Sequence, residues 1–582
     1  MKKKVLLVAF IILIVLFTIL KHVFVCDMPI VANITLGVDD ALMVNIARYI
    51  LMGEWIGDYN DVRLSKGLTF PIMLAFSSSI NLDYITMMTS LYTIACFLFM
   101  LVISKRIKNK IVLAFLYVIT LFNPVMYSYQ VMQRIYRNAI IPSLSILIMT
   151  GYLYLFFTRN DKNVIRKLLV SILTGIVLAA FWYTREDSIW MLPFIGFMSL
   201  SMLISCIYAN RKSIKNFLKS FIVLIVVLLI PFGILFGYRH ILASKNEEKF
   251  GRYTIYNDEA YKKAMKSLKK VKKYDYYENI DFTVEKLKRV SEVSCLKVIY
   301  QSLEGLIYGY AQFDSSPETE EVANGWFPWA LKGALNQYGY YGSAEITDEY
   351  FNKLHTEIEI ALAEGKLEYE DVKPDILHKL KQLAKSTILT FKCVLNYEDI
   401  YFMDAPSKDY EEADKHKYMM FYDLTLNKFM VQDKETGEDV NLTNNEEGYN
   451  QKVIEQGKNV KTLVTIYKYL NIPTFIVASI AYVIYSFVTL IQLFKKKLVN
   501  LEMWVVISSV LGAMLSIMMG IAYETAFNAY VITAMYLSVA YPLMLLFSML
   551  MISVSILKII EWIKNRKENK KELNKNEVLE NA

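Results

Sequence analysis

Cysteine is scarce in this chain, with five residues among 582. They stand at Cys26, Cys96, Cys206, Cys295 and Cys393, and no two of them form a CxxC pair. Structural zinc sites and thiol-redox sites use such closely spaced pairs, so the spacing argues against both kinds of site. A disulfide between Cys295 and Cys393 outside a membrane stays open as an alternative.

The N-terminal apolar run lacks the cleavage motif of a secretory signal. The sequence "MKKKVLLVAFIILIVLFTIL" has a basic start and an apolar stretch, but no small-x-small sequence closes it. The run is also long enough to cross a bilayer, for which about 20 apolar residues suffice. We therefore interpret it as an uncleaved first membrane helix.

Apolar residues are abundant, because 55% of the chain is hydrophobic and these residues are gathered in long runs. The runs predict an all-α polytopic membrane protein with about ten or eleven transmembrane helices. The predicted spans are residues 4–25, 84–104, 111–128, 138–158, 167–183, 189–209, 217–240, 470–494, 501–522 and 529–560. Residues 68–80 are too few to span, and they predict a re-entrant or interfacial helix that the protein must bury.

Basic residues cluster between the spans, at 104–110, 158–167, 210–219, 495–497 and 564–571. Cytoplasmic loops are enriched in Lys and Arg, and placing every cluster inside lets all the spans alternate without conflict. The net charge of +8 is thereby explained without nucleic acid as a partner. The prediction is a multi-pass plasma-membrane protein that has both termini in the cytoplasm.

This topology leaves one large insert between two transmembrane modules. The predicted segments are an N-terminal transmembrane module (1–240) with its first outer loop (26–83), an extracytoplasmic domain (241–469), a C-terminal transmembrane module (470–563) and a disordered cytoplasmic tail (564–582). The insert is predicted to be mostly helical with some strand (α+β), because "FMVQDKETGEDVNLT" (429–443) has the alternation of a hairpin. Its aromatic segment 324–342 favours either stacking on a sugar or an interfacial belt.

The first outer loop carries a high density of charge. Asp39 and Asp40 precede the helical pattern "ALMVNIARYILM", which contains Arg48, and Lys66 follows it. Acids are favoured at a helix N-terminus, so one interpretation is structural: Asp39 caps this helix, and Arg48 pairs with Asp40. Lys66 can likewise extend to the membrane interface without a chemical role.

The same residues resemble the GT-C superfamily of integral membrane glycosyltransferases, above all protein O-mannosyltransferases and lipid A aminoarabinose transferases. Members carry an Asp-Glu pair in the first outer loop, then a helix with an Arg, a Gly-Asp-Trp-like turn and a Lys-Pro-Pro motif. Here "DDALMVNIARYILMGEWIGDY" matches the first three parts. "SKGLTFPIML" keeps Lys66, whereas Pro71 comes late, and the second acid is Asp40 in place of Glu.

The resemblance implies transfer of a sugar from a polyprenyl-phosphate donor to an extracytoplasmic glycan or protein acceptor of the cell envelope. Asp39, with Asp40 beside it, takes the place of the catalytic acid, either as general base toward the acceptor hydroxyl or as the group that positions it. Lys66 and Arg48 are the candidates for stabilising the lipid phosphate that leaves.

Charges in two other outer loops extend this candidate site. Arg134 and Arg137 run against the positive-inside pattern and are candidates for binding the donor phosphate, with lipid headgroups or an acid elsewhere as alternative partners. Arg185, Glu186 and Asp187 lie in a short loop near the bilayer, where charge is costly. Arg185 is a further phosphate candidate, and Glu186 or Asp187 is a candidate second acid or a helix cap. These acids have the oxygen ligands for Mg²⁺ or Mn²⁺, although no metal or other cofactor is predicted.

Two other functions stay open. A transporter or flippase for lipid-linked glycans needs charges inside the spans and often paired repeats, and the sequence favours neither. A non-enzymatic envelope assembly protein would use the insert to bind a partner.

Overall fold

Helices account for 76% of the chain in the computed structural model. The structure describes residues 2–31, 39–256, 259–275, 277, 279–312, 319–371, 375–404, 407–410, 415–427, 430–433, 439–441 and 449–580. The α-helices are α1 (Lys2–Val25), α2 (Asp40–Leu51), α3 (Thr69–Ser79), α4 (Tyr84–Ile103), α5 (Lys110–Leu121), α6 (Ile141–Phe157), α7 (Val164–Trp182), α8 (Leu192–Asn210), α9 (Ile214–Phe250), α10 (Glu259–Lys270), α11 (Val284–Val293), α12 (Tyr300–Ala311), α13 (Phe327–Gln337), α14 (Ala344–Ala363), α15 (Ile376–Leu395), α16 (Lys415–Thr425), α17 (Tyr449–Phe494), α18 (Leu501–Phe527), α19 (Ala534–Leu537) and α20 (Ala540–Glu580).

Nine helices within these described ranges are long and apolar enough to cross a bilayer, which confirms the class of polytopic membrane protein. They are α1, α4, α6, α7, α8, α9, α17, α18 and α20. The prediction of ten or eleven full-length spans needs correction at residues 111–128. There α5 has only 12 residues, which extend about 18 Å against a hydrocarbon core of about 30 Å. The short helix predicted at 68–80 is α3, with 11 residues.

Asn123 and Pro124 explain why α5 stops short. Proline has no N–H to donate and disfavours helical geometry in the residue before it. The Asn123 side chain accepts a hydrogen bond from the Val125 amide and so begins a 3-10 turn at Pro124–Tyr127. A π turn follows at Tyr129–Gln133. Irregular backbone at membrane depth must be covered by protein, and Val125 and Tyr127 are indeed fully buried.

The insert is joined to the membrane by two continuous helices. Because α9 runs on to Phe250 and α17 begins at Tyr449, the predicted boundaries at 241 and 469 fall inside helices. Helices α10 to α16 lie between them. Helices α10 to α14 share a core in which Phe282 and Phe327 stack with ring centres 4.1 Å apart, whereas α15 and α16 pack into the core of the spans.

Strands contribute little to the insert. The described strands are β1 (Ser407–Tyr410), β2 (Met430–Asp433) and β3 (Asp439–Asn441). β2 pairs antiparallel with β3, as the hairpin prediction requires, and β1 pairs parallel with β2; the turn residues 434–438 lie outside the described residues. The α+β description is therefore wrong, because three short strands do not form a layer that could bury the insert's core.

The bundle has two chemically different ends. At one end, called here the basic end, Arg106 and Arg159 both pair with Glu502 at 2.6 Å, which brings together two of the basic loops and the start of α18. At the other end, called here the insert end, Gly325 of the insert donates its amide to the Asn528 carbonyl at 3.2 Å.

Two smaller expectations also change. All five cysteines are free, so the alternative of a disulfide between Cys295 and Cys393 is not realised. Helix α20 continues to Glu580, and the backbone of 564–580, expected to be disordered, is helical. Lys and Glu are good helix formers, and lengthening an existing helix avoids the cost of nucleation.

Candidate functional site

Asp39 lies directly before α2, yet its carboxylate does not cap that helix. The side chain makes no hydrogen bond to the first-turn amides. It faces two cations instead, with the Lys66 ammonium 3.6 Å from Oδ1 and the Arg134 guanidinium 3.5 Å from Oδ2. Its side chain is 22% exposed, so Asp39 is the accessible acid of the Asp-Asp pair. The capping interpretation does not describe this carboxylate.

Asp40 has the opposite environment, because its side chain is fully buried. Arg134 holds it from Nε to both carboxylate oxygens, at 3.1 and 3.0 Å, and from Nη2 to Oδ1 at 2.5 Å. The Tyr84 hydroxyl in turn donates to the Arg134 carbonyl at 2.8 Å, which fixes the backbone of the arginine. Asp40 thus anchors Arg134 beside Asp39.

Arg137 and Glu186 form a second pair. Arg137 Nη1 lies 2.6 and 2.7 Å from the two carboxylate oxygens of Glu186, and the Gly67 amide donates to Oε1 at 3.0 Å. A Cβ atom at Gly67 would lie 2.3 Å from the Tyr183 carbonyl oxygen, so this close approach requires glycine. The loop that carries Lys66 is thereby held against the loop between α7 and α8.

Arg185 forms the third pair, with Asp187 two residues further on, and it also donates to Asn138 Oδ1 at 2.9 Å. Asp187 precedes a 3-10 turn without capping it. Each of the three arginines expected to bind phosphate therefore already faces a carboxylate, and a phosphate would have to displace it. The eight side chains called the charge cluster below are Asp39, Asp40, Lys66, Arg134, Arg137, Arg185, Glu186 and Asp187.

Lys66 makes the longest ion pair of the charge cluster. Its ammonium donates to the Tyr136 hydroxyl at 3.3 Å and lies 5.1 Å from the centre of the Trp329 ring. Trp329 belongs to α13, so the insert covers this part of the charge cluster. A cation above an indole face is stabilised by the ring quadrupole, which keeps Lys66 in place without a tightly bound acid.

The sequence singled out neither Tyr136 nor Tyr536. Tyr136 stands between Arg134 and Arg137 along the chain, and this position was the available signal. The Tyr536 ring lies 5.3 Å from the Arg185 guanidinium, and it comes from a segment hundreds of residues away. No local sequence pattern predicts that Tyr536 contacts Arg185. Trp329 lies in the aromatic segment for which stacking on a sugar was one of two interpretations.

Arg48 is not part of the charge cluster, which corrects its expected role in phosphate binding and its expected pairing with Asp40. It is exposed, and Nη1 contacts Met420 Sδ of α16 at 3.6 Å. Arg48 lies eight residues after Asp40, the first residue of α2, which is about 12 Å along the helix and away from the charge cluster.

The pKa values of the two acids of the first loop are shifted in opposite directions. Burial by itself raises the pKa of Asp39, but Lys66 and Arg134 outweigh it and hold this pKa below the ordinary value. Burial raises the pKa of Asp40 to about 6, although Arg134 opposes the shift, so Asp40 is still ionised at neutral pH. Burial and the nearby Arg137 lower the pKa of Lys66 to about 8.

A large cavity lies next to the charge cluster, between the spans and the insert. Its volume is 860 Å³, and its wall includes Tyr183, whose carbonyl is the atom that Gly67 approaches. Phe232, Leu235 and Phe236 of α9 make one side apolar. The charged residues of the lining are four basic ones and two acids, of which Asp348 pairs with Arg252: Arg239, Arg252, Lys262, Lys263, Glu259 and Asp348. An apolar wall beside several cations suits an amphiphile with an anionic head.

The arrangement offers few ligands for a metal ion. Within the described ranges, no three His, Cys, Asp or Glu side chains are grouped as metal ligands. Each acid of the charge cluster has a cation against it, so a divalent ion would compete with that cation. What the site does offer is an accessible carboxylate, Asp39, with an ammonium and an aromatic ring beside it; Glu186 and Asp187 are also accessible, at 39% and 40% exposure, but each is held at hydrogen-bonding distance by its own arginine.

The chain matches no family model, no curated protein and no solved structure among those with which it was compared. The membrane class therefore depends on the spans, and the resemblance to GT-C enzymes depends on the first-loop residues themselves.

Proposed function

We propose that this protein is a membrane glycosyltransferase that moves a sugar from a polyprenyl-phosphate donor to a hydroxyl group of a cell-envelope acceptor, with the insert on the extracytoplasmic side. The observation that carries the proposal is the environment of Asp39, an accessible carboxylate that faces Lys66 and Arg134 where the insert meets the spans. The first-loop resemblance gives the same residue the catalytic role.

In the proposed reaction the acceptor oxygen attacks C1 of the sugar while the bond from C1 to the phosphate oxygen breaks. The bonding electron pair leaves with the polyprenyl phosphate, and the acceptor proton passes to Asp39. A carboxylate with a lowered pKa is a weak base at neutral pH, so Asp39 receives the proton late and contributes first by orienting the hydroxyl. No redox step and no covalent enzyme intermediate is needed.

Lys66 is the cation assigned to the leaving phosphate. The arginines of the charge cluster are occupied by Asp40, Glu186 and Asp187, whereas the ion pair of Lys66 with Asp39 is long enough to loosen when a phosphate arrives. A positive charge placed where negative charge develops is most effective in a water-poor site, and the Lys66 side chain is only 12% exposed. Lys66 does not line the adjacent 860 Å³ cavity, so the cavity is the proposed place of the donor's first isoprene units, with the phosphate between the cavity wall at Tyr183 and Lys66.

The test is the substitution Asp39→Asn in the full-length protein, assayed with a panel of polyprenyl-phosphate hexoses. A crude envelope fraction supplies the acceptor, and the release of polyprenyl phosphate is measured. This readout works without knowing which molecule of the fraction is the acceptor. The expected loss is about 100- to 10,000-fold in turnover, typical of removing a general base. Binding of the donor lipid is expected to persist.

Asp58→Asn is the matched control, because Asp58 is an exposed acid of the same loop and lies outside the charge cluster. It is expected to keep full activity. If no polyprenyl-phosphate sugar is consumed by the parent protein, or if Asp39→Asn turns over as fast as Asp58→Asn, the glycosyltransferase proposal fails. Movement of intact donor across the bilayer without its cleavage would instead support the flippase alternative.

A further inference from the structure

A second cavity lies at the basic end, far from the charge cluster. It has a volume of 670 Å³ and opens where the start of α7, the end of α8 and the start of α9 meet the loop 158–163. The cavity is independent of the proposed function, since none of its lining residues belongs to the charge cluster.

The shape of this cavity follows from the packing of α7 against α9. The two helices touch at Gly175, where a Cβ atom would lie 2.9 Å from Pro231 Cα, and the Ser171 hydroxyl donates to the Val227 carbonyl. Lys167 and Val223 line the cavity one turn nearer the basic end. The cavity is therefore a slot that is closed toward the middle of the bundle and open at the basic end.

The slot is apolar at depth and cationic at its mouth. Leu155, Met202, Val223, Leu224 and Val227 line the deep part, and Val227 lies 13 residues into α9, or about 20 Å along that helix. The cations in the lining are Arg159, Lys162, Lys167 and Lys219, against one acid, Asp161.

Among the described residues, Arg159 is the one cation of this lining that forms a salt bridge, and Asp161 acts on Lys167 electrostatically without an ion pair. Arg159 is committed to Glu502, and the Lys167 ammonium donates only to the Arg159 carbonyl oxygen, at 2.8 Å. In the part of the chain that the structure describes, neither Lys162 nor Lys219 forms a salt bridge. The mouth thus holds positive charge that a ligand can neutralise.

We propose that this slot binds one anionic phospholipid, with its phosphate among Lys162, Lys167 and Lys219 and one acyl chain along the apolar wall. Basic recesses between membrane helices recognise anionic headgroups in this way. The apolar depth distinguishes the ligand from a soluble anion, which would bury no hydrocarbon there. The bound lipid bridges α7, α8, α9 and the loop before α7, and it stabilises their arrangement.

The test is native mass spectrometry of the detergent-solubilised full chain, titrated with phosphatidylglycerol or with phosphatidylcholine of the same acyl chains. The parent protein is expected to retain one phosphatidylglycerol much more tightly than phosphatidylcholine. The double substitution Lys167→Gln with Lys219→Gln is expected to weaken this binding by about 25-fold, since each lysine near an anionic headgroup contributes roughly a factor of five. The control is the double substitution Lys495→Gln with Lys497→Gln, which removes the same amount of charge outside the slot. It is expected to change the lipid affinity by less than about twofold, because salt screens surface charges that lie far from the ligand.

A second variant keeps every charge and fills the slot. Ala209→Phe places a ring in the lining of the cavity and is expected to abolish the tight site while leaving weak surface adsorption. Equal losses in the control and the test variants, or equal affinity for phosphatidylcholine, would overturn the proposal. Displacement of the lipid by millimolar inorganic phosphate would also overturn it, because the slot would then recognise a phosphate group alone.

Discussion

At the insert end of the bundle, Arg134, Arg137 and Arg185 each face a carboxylate of their own, whereas at the basic end Arg106 and Arg159 share Glu502. The arginine side chains at the insert end are at most 10% exposed, whereas Arg106 and Arg159 at the basic end are 31% and 15% exposed; the acids Glu186, Asp187 and Glu502 are similarly exposed at both ends. Burial of an unpaired charge costs several kcal/mol, so the buried end must supply its own counter-ions. The solvated end can leave lysines unmatched and available to lipid.

The same difference in burial and pairing is found within the charge cluster. Asp40 and Arg134 satisfy each other and define a rigid frame, whereas Asp39 and Lys66 keep part of their capacity for a substrate. Three variants test the comparison, in order of decreasing expected effect.

Asp40→Asn is expected to destabilise the protein by about 3 kcal/mol, because the buried Arg134 guanidinium then keeps only its 3.5 Å contact with Asp39 as a counter-charge. Chemical unfolding in detergent measures the loss. The double substitution Asp40→Leu with Arg134→Met is expected to recover much of it, since removing both charges also removes the desolvation cost. If the single variant unfolds like the parent, the pair is not the frame of the site.

Lys66→Gln is expected to lower sugar transfer by about 100- to 1,000-fold, comparable to the loss of one electrostatic contact to the transition state. The pH profile provides the sharper measurement. With a pKa of about 8, Lys66 loses its proton as the pH rises through 8, so the rate of the parent falls on the alkaline side.

Lys66→Arg keeps the charge at all accessible pH values and is expected to move this alkaline limb upward by more than one pH unit, an expectation from the guanidinium pKa above 12. If the alkaline side of the pH profile is the same in Lys66→Arg as in the parent, the group that titrates there is not Lys66. Lys66 would then have no place in the proposed mechanism.

Glu502→Gln is the counterpart of the first variant at the basic end. Because Glu502 is 31% exposed and its two arginines remain hydrated, the expected loss is only about 0.5–1 kcal/mol, within the range of exposed ion pairs. Unfolding under the conditions used for Asp40→Asn gives the direct comparison. A loss as large as that of Asp40→Asn would mean that the basic end is as desolvated as the insert end.

Much of the membrane architecture was predictable from hydropathy. Nine of the ten predicted spans correspond to long apolar helices of the described chain. The exception at 111–128 shows the limit of hydropathy, since an apolar run says nothing of where Asn123 and Pro124 end the helix. The hairpin at 429–443 was found as a local pattern, yet its small size makes no β layer.

The sequence predicted which residues form the candidate site, but it did not predict which of them pair with each other. Asp39, Asp40, Lys66, Arg134, Arg137, Arg185, Glu186 and Asp187 were singled out from local charge and loop position, and all eight meet at the insert end. Arg48 was included for the same reason and lies elsewhere, because it is near the far end of α2, where it contacts Met420 of α16. Sequence distance gave no indication that Asp40 pairs with Arg134, or that Trp329 covers Lys66.

The amino-acid sequence by itself determined that this chain is a polytopic membrane protein with charged loops and a large insert, because hydrophobic runs and basic clusters act through local composition. Only the tertiary structure decided which acid is buried and which is accessible. That choice depends on contacts between segments up to several hundred residues apart, and on the balance between desolvation and ion pairing at each side chain. Two adjacent aspartates of identical chemistry therefore have different environments, Asp40 buried against Arg134 and Asp39 partly exposed beside Lys66.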